Sequence, residues 1–306
     1  MDTLFETPLQ HASVNGVNIA YRASPAGKPP LLLLHGHPQT HVLWHKVWDA
    51  LCTHFSCVAM DLRGYGDSSK PAGQADHANY SKRAMAQDAV ELMARLGHDA
   101  FKVLAHDRGA RVAHRMLLDH PQNVVRATLL DIAPTLDMYR ATHEAFARAY
   151  YHWFFLIQAA PLPETLLGHD PAYYCRNVMA GRFNAIGEQG FGPFDARAMA
   201  QYERCARIEG WVHAVCEDYR ASASIDLVHD EANRDENAGT WRKIVQPLQV
   251  LWGEQGVVHR CFEPLKLWQA QAVQPVKGAA LPCGHYIAEE APDALLAQAL
   301  PFLLKD

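Results

Sequence analysis

No apolar run in the 306-residue chain approaches the roughly 18 to 20 residues that a membrane helix needs, so no membrane span is expected. The stretch from Met1 to Gln10 lacks the apolar core of a secretory leader. Positive charge is not in excess. The formal net charge is −5, which argues against nucleic acid as a main partner. Seven cysteines, an odd number without paired spacing, read as reduced thiols in a cytoplasm. Eighteen histidines are scattered, and none has the neighbours of a zinc site, so no metal or other cofactor is expected. Repeats and low-complexity segments are missing. What remains is 49% apolar and 20% charged, enough to bury a large core. The length suits one large domain with an insertion, or two domains.

One further lack carries chemistry. In Phe101-Lys-Val-Leu-Ala-His-Asp-Arg-Gly-Ala-Arg111, Val103 to Ala105 read as a buried strand. Val112, Ala113, Met116 and Leu117 then recur at helical spacing. Strand, tight turn and helix make the setting of a nucleophile elbow, usually G-x-S-x-G. Here the serine is missing. Ala105 and Gly109 hold the small outer positions, and Asp107 stands in the middle. A carboxylate cannot do serine-type acyl transfer. It can attack a carbon that bears a leaving group and form an alkyl ester. Aspartate at such a place also serves as a helix N-cap, so the residue by itself allows two readings. Arg108 and Arg111, three apart, can share one side of the first turn. Cations there oppose the helix dipole. The pair therefore suggests an external anion, such as a substrate carboxylate gripped by guanidinium forks.

The flanking chain supplies a frame. Val14 to Tyr21 predicts a hairpin turn entering a strand, and Leu31 to Leu34 a central parallel strand. The latter ends in His35-Gly36-His37-Pro38-Gln39, at the kind of strand end where open α/β sheets bind ligands. The backbone N–H of His37, beside that of Arg108, is a candidate oxyanion donor, while the His37 imidazole reads as lining the entrance. Val58 to Asp61 is another strand. The loop from Leu62 to Ser68 reads as structural, with charges that pair locally. Ser81 is a candidate cap for a helix from Ala84 to Leu96, which Gly97 ends. Val124 to Leu130 is a strand with Asp131 at its end. This alternation predicts an α/β protein with a mostly parallel, doubly wound sheet.

From Thr135 to Lys243 the chain turns aromatic and helical, which predicts an inserted helical lid. Gln189 to Pro193 reads as a loop inside it, and Asp226 to Gly239 as the return connection. Tyr150, Phe154 and Phe155 read as core packing, and Trp211 fits either packing or the pocket. Leu248 to Trp252 and Ala279 to Leu281 resume the sheet, and a last helix runs from Pro292 to Leu304. The expected division is a core of residues 1–134 and 244–306 and a cap of residues 135–243. His285, in the loop Pro282-Cys283-Gly284-His285, is a candidate base. The order Asp107, Asp131, His285 is nucleophile, acid, histidine, as in α/β-hydrolases.

From about Val14 to Leu304 the sequence resembles α/β-hydrolases of the fluoroacetate (haloacetate) dehalogenase family. The resemblance is carried by His106-Asp-Arg-Gly-Ala-Arg111, Leu130-Asp131-Ile132, Tyr151-His152-Trp153, Cys216-Glu-Asp-Tyr-Arg220 and Gly284-His285. The aspartate elbow is shared with haloalkane dehalogenases and epoxide hydrolases. The double arginine combined with His-Trp in the lid is narrower. The resemblance implies an α/β-hydrolase fold and hydrolytic dehalogenation of a short 2-haloacid by side chains and water, without a cofactor, in a homodimer. It implies that Asp107 is the nucleophile, that His285 activates the water that opens the ester, and that Asp131 orients His285. It assigns the substrate carboxylate to Arg108 and Arg111, and the halide to His152, Trp153 and Tyr219. Imidazole, indole N–H and phenol O–H are donors able to replace water around a compact fluoride. Two features depart from the family. His37 stands where the family often has an aromatic residue. Gly253-Glu-Gln-Gly256 has glycine where many relatives carry the triad acid, which leaves Glu254 as a competitor to Asp131. Two other readings stay open: an epoxide hydrolase in which Tyr151 or Tyr219 protonates the oxygen, and a ligand receptor without turnover.

Overall fold

A computed structural model describes residues 3–183, 190–234 and 241–305. Eight strands form one sheet: β1 (Gln10–Val14), β2 (Val17–Ala23), β3 (Pro30–Leu34), β4 (Ser56–Met60), β5 (Phe101–His106), β6 (Val124–Leu130), β7 (Leu248–Gly253) and β8 (Lys277–Leu281). Their order is β1-β2-β4-β3-β5-β6-β7-β8. The β1–β2 and β2–β4 pairs are antiparallel, and every pair from β4 through β8 is parallel. The first hairpin turns at Asn15 and Gly16, both at positive φ, as a two-residue connection requires.

The all-leucine run of β3 shows why its pattern does not alternate. Leu32 and Leu34 pack into one apolar cluster, and Leu31 and Leu33 into another on the opposite face. Both faces are covered, so every position is apolar. From β3 the chain steps to β4 on one side and later to β5 on the other. This reversal opens a crevice at the carboxyl ends of β3 and β5. Register then aligns the loops that follow. Leu34 lies beside Ala105, His106 beside Leu130, Leu130 beside Leu251, and Gly253 beside Leu281. The loops after β3, β5, β6, β7 and β8 therefore meet at one edge.

Helices α1 (His45–His54), α2 (Lys82–Arg95) and α3 (Asp107–Asp119) belong to the first half. Ser81 caps α2 by accepting from the Ala84 N–H at 3.2 Å, and Gly97 follows its end at φ +83°. Between β6 and β7 the described chain is helical: α4 (Thr135–Arg140), α5 (Glu144–Ala149), α6 (Tyr151–Leu156), α7 (Leu162–Gly168), α8 (Pro171–Met179), α9 (Ala196–Ala206), α10 (Trp211–Ser222) and α11 (Ile225–Asn233). The sheet is then closed by α12 (Val257–Cys261), α13 (Pro264–Gln271), α14 (Ile287–Glu290) and α15 (Pro292–Leu303).

Two expectations need correction. The stretch from Asp226 is not a connection at first but helix α11. Its buried stripe is polar (Asp226, Asp230, Asn233), so no apolar periodicity marked it. Residues 235–240 of that stretch lie outside the described residues, as does Gln189 of the expected inner loop, whose residues 190–193 are not helical. The charges of the loop from Leu62 to Ser68 do not pair locally. Arg63 donates to Asp88 on α2 at 2.9 and 2.5 Å, and Asp67 accepts from Arg204 on α9 at 2.5 Å. The tight turn itself follows from Gly66, at φ +51°, where a Cβ would stand 2.1 Å from the Asp61 carboxylate.

Candidate active site

Asp107 opens α3 at φ +45°, a left-handed conformation that a non-glycine residue keeps only when its surroundings enforce it. Two glycines let the chain pass. A Cβ on Gly109 would stand 2.4 Å from the His35 carbonyl oxygen, and one on Gly36 would stand 2.5 Å from the Asp107 Cβ. The N-cap is His106, and no side chain caps the helix, so Asp107 does not serve as its cap. Its Oδ1 accepts from the His37 N–H at 3.0 Å. The Gly109 N–H is taken by the His35 carbonyl, and the Arg108 N–H lies one residue earlier, in the unpaired first turn. Burial works to raise the Asp107 pKa. His285, His106, Arg111 and Arg108 overcome that, leaving the group well below the ordinary carboxylate range and ionised.

Asp131, also at positive φ (+49°), ends β6. Its Oδ1 accepts from the Gly253 N–H at 3.0 Å, and its Oδ2 lies 2.5 Å from His285 Nδ1. Glu254 is exposed. The structure thus brings Asp107, Asp131 and His285 to one edge, with Asp131 at the histidine. The phenol of Tyr150 stands 3.3 Å from the same Nδ1, so this residue is more than the packing expected of it. His106 Nε2 lies 2.9 Å from the His285 carbonyl oxygen.

The two arginines are held differently. Arg108 Nε donates to Asp218 Oδ2 at 2.7 Å, and its Nη2 donates to the Asp218 carbonyl at 2.9 Å and to Ser222 Oγ at 2.6 Å. Arg108 therefore has a counter-ion in the protein, Asp218, besides any external anion. Arg111 has no carboxylate among its hydrogen-bond partners. Its Nη1 donates to the Ala133 carbonyl at 3.2 Å and to Thr135 Oγ1 at 2.9 Å, and its Nη2 faces Met138 Sδ at 3.3 Å. Each guanidinium keeps one buried nitrogen without a protein partner, Nη1 of Arg108 and Nε of Arg111. Arg108 lies over the Tyr219 ring at 4.1 Å, and Arg111 over Trp153 at 4.7 Å.

Trp153, Tyr219 and His152 are buried together. The Tyr219 ring is 5.9 Å from His152 and 6.4 Å from Trp153. Burial, with Arg182 and His37 nearby, drives the His152 pKa well down, so its ring is neutral. The His37 imidazole does not line an entrance. It is 3% exposed and lies near-parallel to His152 on one hand and Trp211 on the other, at 6.1 and 6.3 Å and 19° each. Trp211 thereby packs in the same ring cluster as His37 and Tyr174. His37 Nε2 is 3.1 Å from the Tyr174 hydroxyl.

Several residues escaped the sequence reading: Asp218 and Ser222 behind Arg108, Thr135 behind Arg111, and Tyr174 and Tyr150. A signal existed for the first. Asp218 and Ser222 are one turn apart on α10, and a buried arginine needs an acceptor face of that kind. Asp218 also takes bonds from the Tyr65 hydroxyl at 2.7 Å and from the Lys82 ammonium. Despite burial, which opposes ionisation, Arg108 and Lys82 hold its pKa far below normal. A cavity of about 450 Å³ between Arg182, Gly256, Gly284 and Tyr286 reaches His285. A larger groove of about 920 Å³, between Leu118, Trp241 and Val273, contains none of these residues.

A carboxylate on a forced strand-to-helix turn, with a histidine and a second carboxylate on later loops of the same parallel sheet, is an α/β-hydrolase arrangement. The chain belongs to the α/β-hydrolase fold family, whose model matches residues 29–256. Within that family it is similar to the fluoroacetate dehalogenase of Burkholderia sp, with 42% identity over 87% of this chain and 84% of that protein. It is 31% identical to the soluble epoxide hydrolase of Corynebacterium sp. (strain C12), over 95% of each chain. A hydrolase-fold protein from Nostoc sp PCC 7120 superposes with a TM-score of 0.90 at 48% identity, covering all of both chains.

Proposed function

We propose that the protein is a haloacetate dehalogenase, converting fluoroacetate or chloroacetate to glycolate and halide. The observation that carries this reading is the unpartnered nitrogen on each of Arg108 and Arg111, beside an ionised Asp107. Two buried N–H groups on fixed cations suit the two oxygens of a small carboxylate. An Asp107 oxygen attacks C2, the carbon–halogen bond breaks, and its electron pair leaves with the halide. His152, Trp153 and Tyr219 hydrogen-bond the halide as its charge develops. His285, held by Asp131, then takes a proton from water. The resulting hydroxide attacks the ester carbonyl of Asp107, not the substrate carbon. The tetrahedral oxygen meets the N–H groups of His37 and Arg108. Collapse breaks the bond between the Asp107 carbonyl carbon and the glycolyl oxygen. That oxygen, which came from Asp107, takes the proton held by His285 and leaves as the hydroxyl of glycolate. The carboxyl proton left on Asp107 passes to solvent. A chiral carbon is inverted.

The 42% identity to a fluoroacetate dehalogenase supports this reading. Of the two tyrosines expected to serve the competing reading, epoxide opening, Tyr219 is buried beside His152 but Tyr151 is 51% exposed. The buried Tyr174 and the Corynebacterium relative favour that reading. The reading includes residues 135–243 as a cap over a core of 1–134 and 244–306. It also includes a homodimer in a cytoplasm, to which seven free thiols are suited. Halide release from fluoroacetate, chloroacetate and bromoacetate tests the activity, with Asp107→Asn alongside. Release by the wild type and none by the variant is expected. No halide from any of the three transfers the reading to epoxides.

A further inference from the structure

We infer that the His37 imidazole is a fourth hydrogen-bond donor to the departing halide and biases the enzyme toward fluoride over heavier halides. The inference rests on the dehalogenase reading. His37 already serves the reaction through its backbone N–H, and nothing so far gives its ring a task. That ring is buried, and His152 and Tyr219, two of the three proposed halide donors, have ring centroids 6.1 and 5.3 Å away. Its Nε2 has the Tyr174 hydroxyl at 3.1 Å, and its Nδ1 has no protein partner.

The tautomer follows from counting protons. If Nε2 carried the hydrogen, it would donate to the Tyr174 oxygen. The tyrosine proton would then lack a described acceptor, and Nδ1 would be a bare lone pair. If Tyr174 donates to Nε2, the hydrogen is on Nδ1, and the one unmet donor is an N–H in a pocket built for anions. Buried donors without partners are costly, so such a group is matched when an anion arrives. Burial holds the His37 pKa near 3, so the ring is a neutral donor at neutral pH. Fluoride concentrates its charge in the smallest volume and gains most from each added donor. The fluoride-releasing transition state should therefore depend on His37 more than the chloride-releasing one.

The test is single-turnover ester formation and steady-state kcat/KM on fluoroacetate and chloroacetate. The proteins are wild type, His37→Phe, which keeps a ring without a donor, and His37→Asn, which places an amide N–H near the Nδ1 position. His37→Phe is expected to slow ester formation from fluoroacetate by about 10- to 100-fold and from chloroacetate by less than about 3-fold. His37→Asn is expected to recover part of the fluoride-to-chloride ratio. An equal loss on both substrates, or an unchanged ratio, overturns the inference while leaving the dehalogenase reading intact. If wild type releases neither halide, both fall. Melting curves of the variants separate a folding defect from a loss of preference.

Discussion

Asp131→Asn should trap the enzyme half-way through its reaction. Asp131 makes two directed contacts, with Oδ1 receiving the Gly253 N–H at 3.0 Å and Oδ2 meeting His285 Nδ1 at 2.5 Å. An amide in its place has one acceptor and one donor. The Gly253 N–H is a fixed donor, so the amide oxygen stays there and its NH2 turns to the histidine. His285 must then accept at Nδ1 and carry its hydrogen on Nε2. That tautomer cannot take a proton from water. An analogous tautomer reversal in a serine-protease triad lowers turnover about 10⁴-fold. Taking about 10³- to 10⁴-fold here corresponds to roughly 4 to 5.5 kcal/mol on the water step. Ester formation does not use His285 as a base and should stay close to the wild-type rate. The assay is rapid-quench halide release with intact-protein mass measurement. The expected result is one equivalent of halide in a burst, followed by almost none, with a carboxymethyl ester on the Asp107 peptide. Wild-type turnover would refute the role of Asp131. Loss of the burst itself would refute the division of labour between Asp107 and His285.

Three further outcomes follow from the same geometry. Glu254→Gln should turn over within about 2-fold of wild type, because Glu254 is exposed; a 100-fold loss would move the triad acid to it. Arg111→Met should lower kcat/KM on haloacetates by about 10- to 100-fold, mainly through KM, since among the described residues its Nε has no hydrogen-bond partner; unchanged steady-state kinetics would remove it from substrate binding. Asp218→Asn strands Arg108 as a buried cation and leaves Lys82 with Asp226 alone, which costs about 3 to 5 kcal/mol and lowers Tm by roughly 6 to 20 °C at neutral pH. The Asp218 pKa is depressed in the folded protein, so its contribution is complete above the ordinary carboxylate range near 4 and fades as pH falls through the depressed value. Thermal melts should therefore show a constant gap between wild type and variant from about pH 5 to 8 that narrows in acid.

The parts of the molecule that local chain chemistry determines were legible in advance. The unbroken Leu31–Leu34 run read as a strand covered on both faces, and Ala105-His-Asp-Arg-Gly109 as a sharp turn with a carboxylate at its tip, and the structure has both. What stayed hidden depends on long-range pairing. Helix α11 escaped because it buries Asp226 and Asp230 rather than leucines, and those residues matter only once Lys82 and Arg115 are packed against them. The grip of Asp218 on Arg108 spans 110 residues, and no spacing rule reports it. His37 was misplaced for a related reason. A histidine after a glycine looks like a rim residue until five aromatic rings close around it.

The charge arrangement also explains why the halide donors are neutral. Asp107 is an anion, and so is a haloacetate. At about 5 Å and an effective dielectric near 20, their repulsion is about 3 kcal/mol. Asp218 and Lys82 already hold Arg108 in a buried ionic cluster, and the carboxylate that acts on Arg111 is Asp107 itself, with no carboxylate among the described hydrogen-bond partners of Arg111. On the proposed reading, these two guanidinium groups let an anionic substrate approach the anionic Asp107, and the displacement then moves negative charge from Asp107 to the halide, on the side formed by His152, Trp153 and Tyr219. A cation there would speed the displacement but would also retain the product. Burial keeps His152 uncharged and keeps the Tyr219 proton on its oxygen, so both offer hydrogen bonds without a full charge. Neutral donors favour the transition state, in which the halide charge appears, without binding the free ion as a counter-ion would. The groups that donate to the halide on this reading are thus neutral even though Arg108 and Arg111 lie over the Tyr219 and Trp153 rings at 4.1 and 4.7 Å. Donation without a formal charge is what lets the same pocket break the bond and then empty.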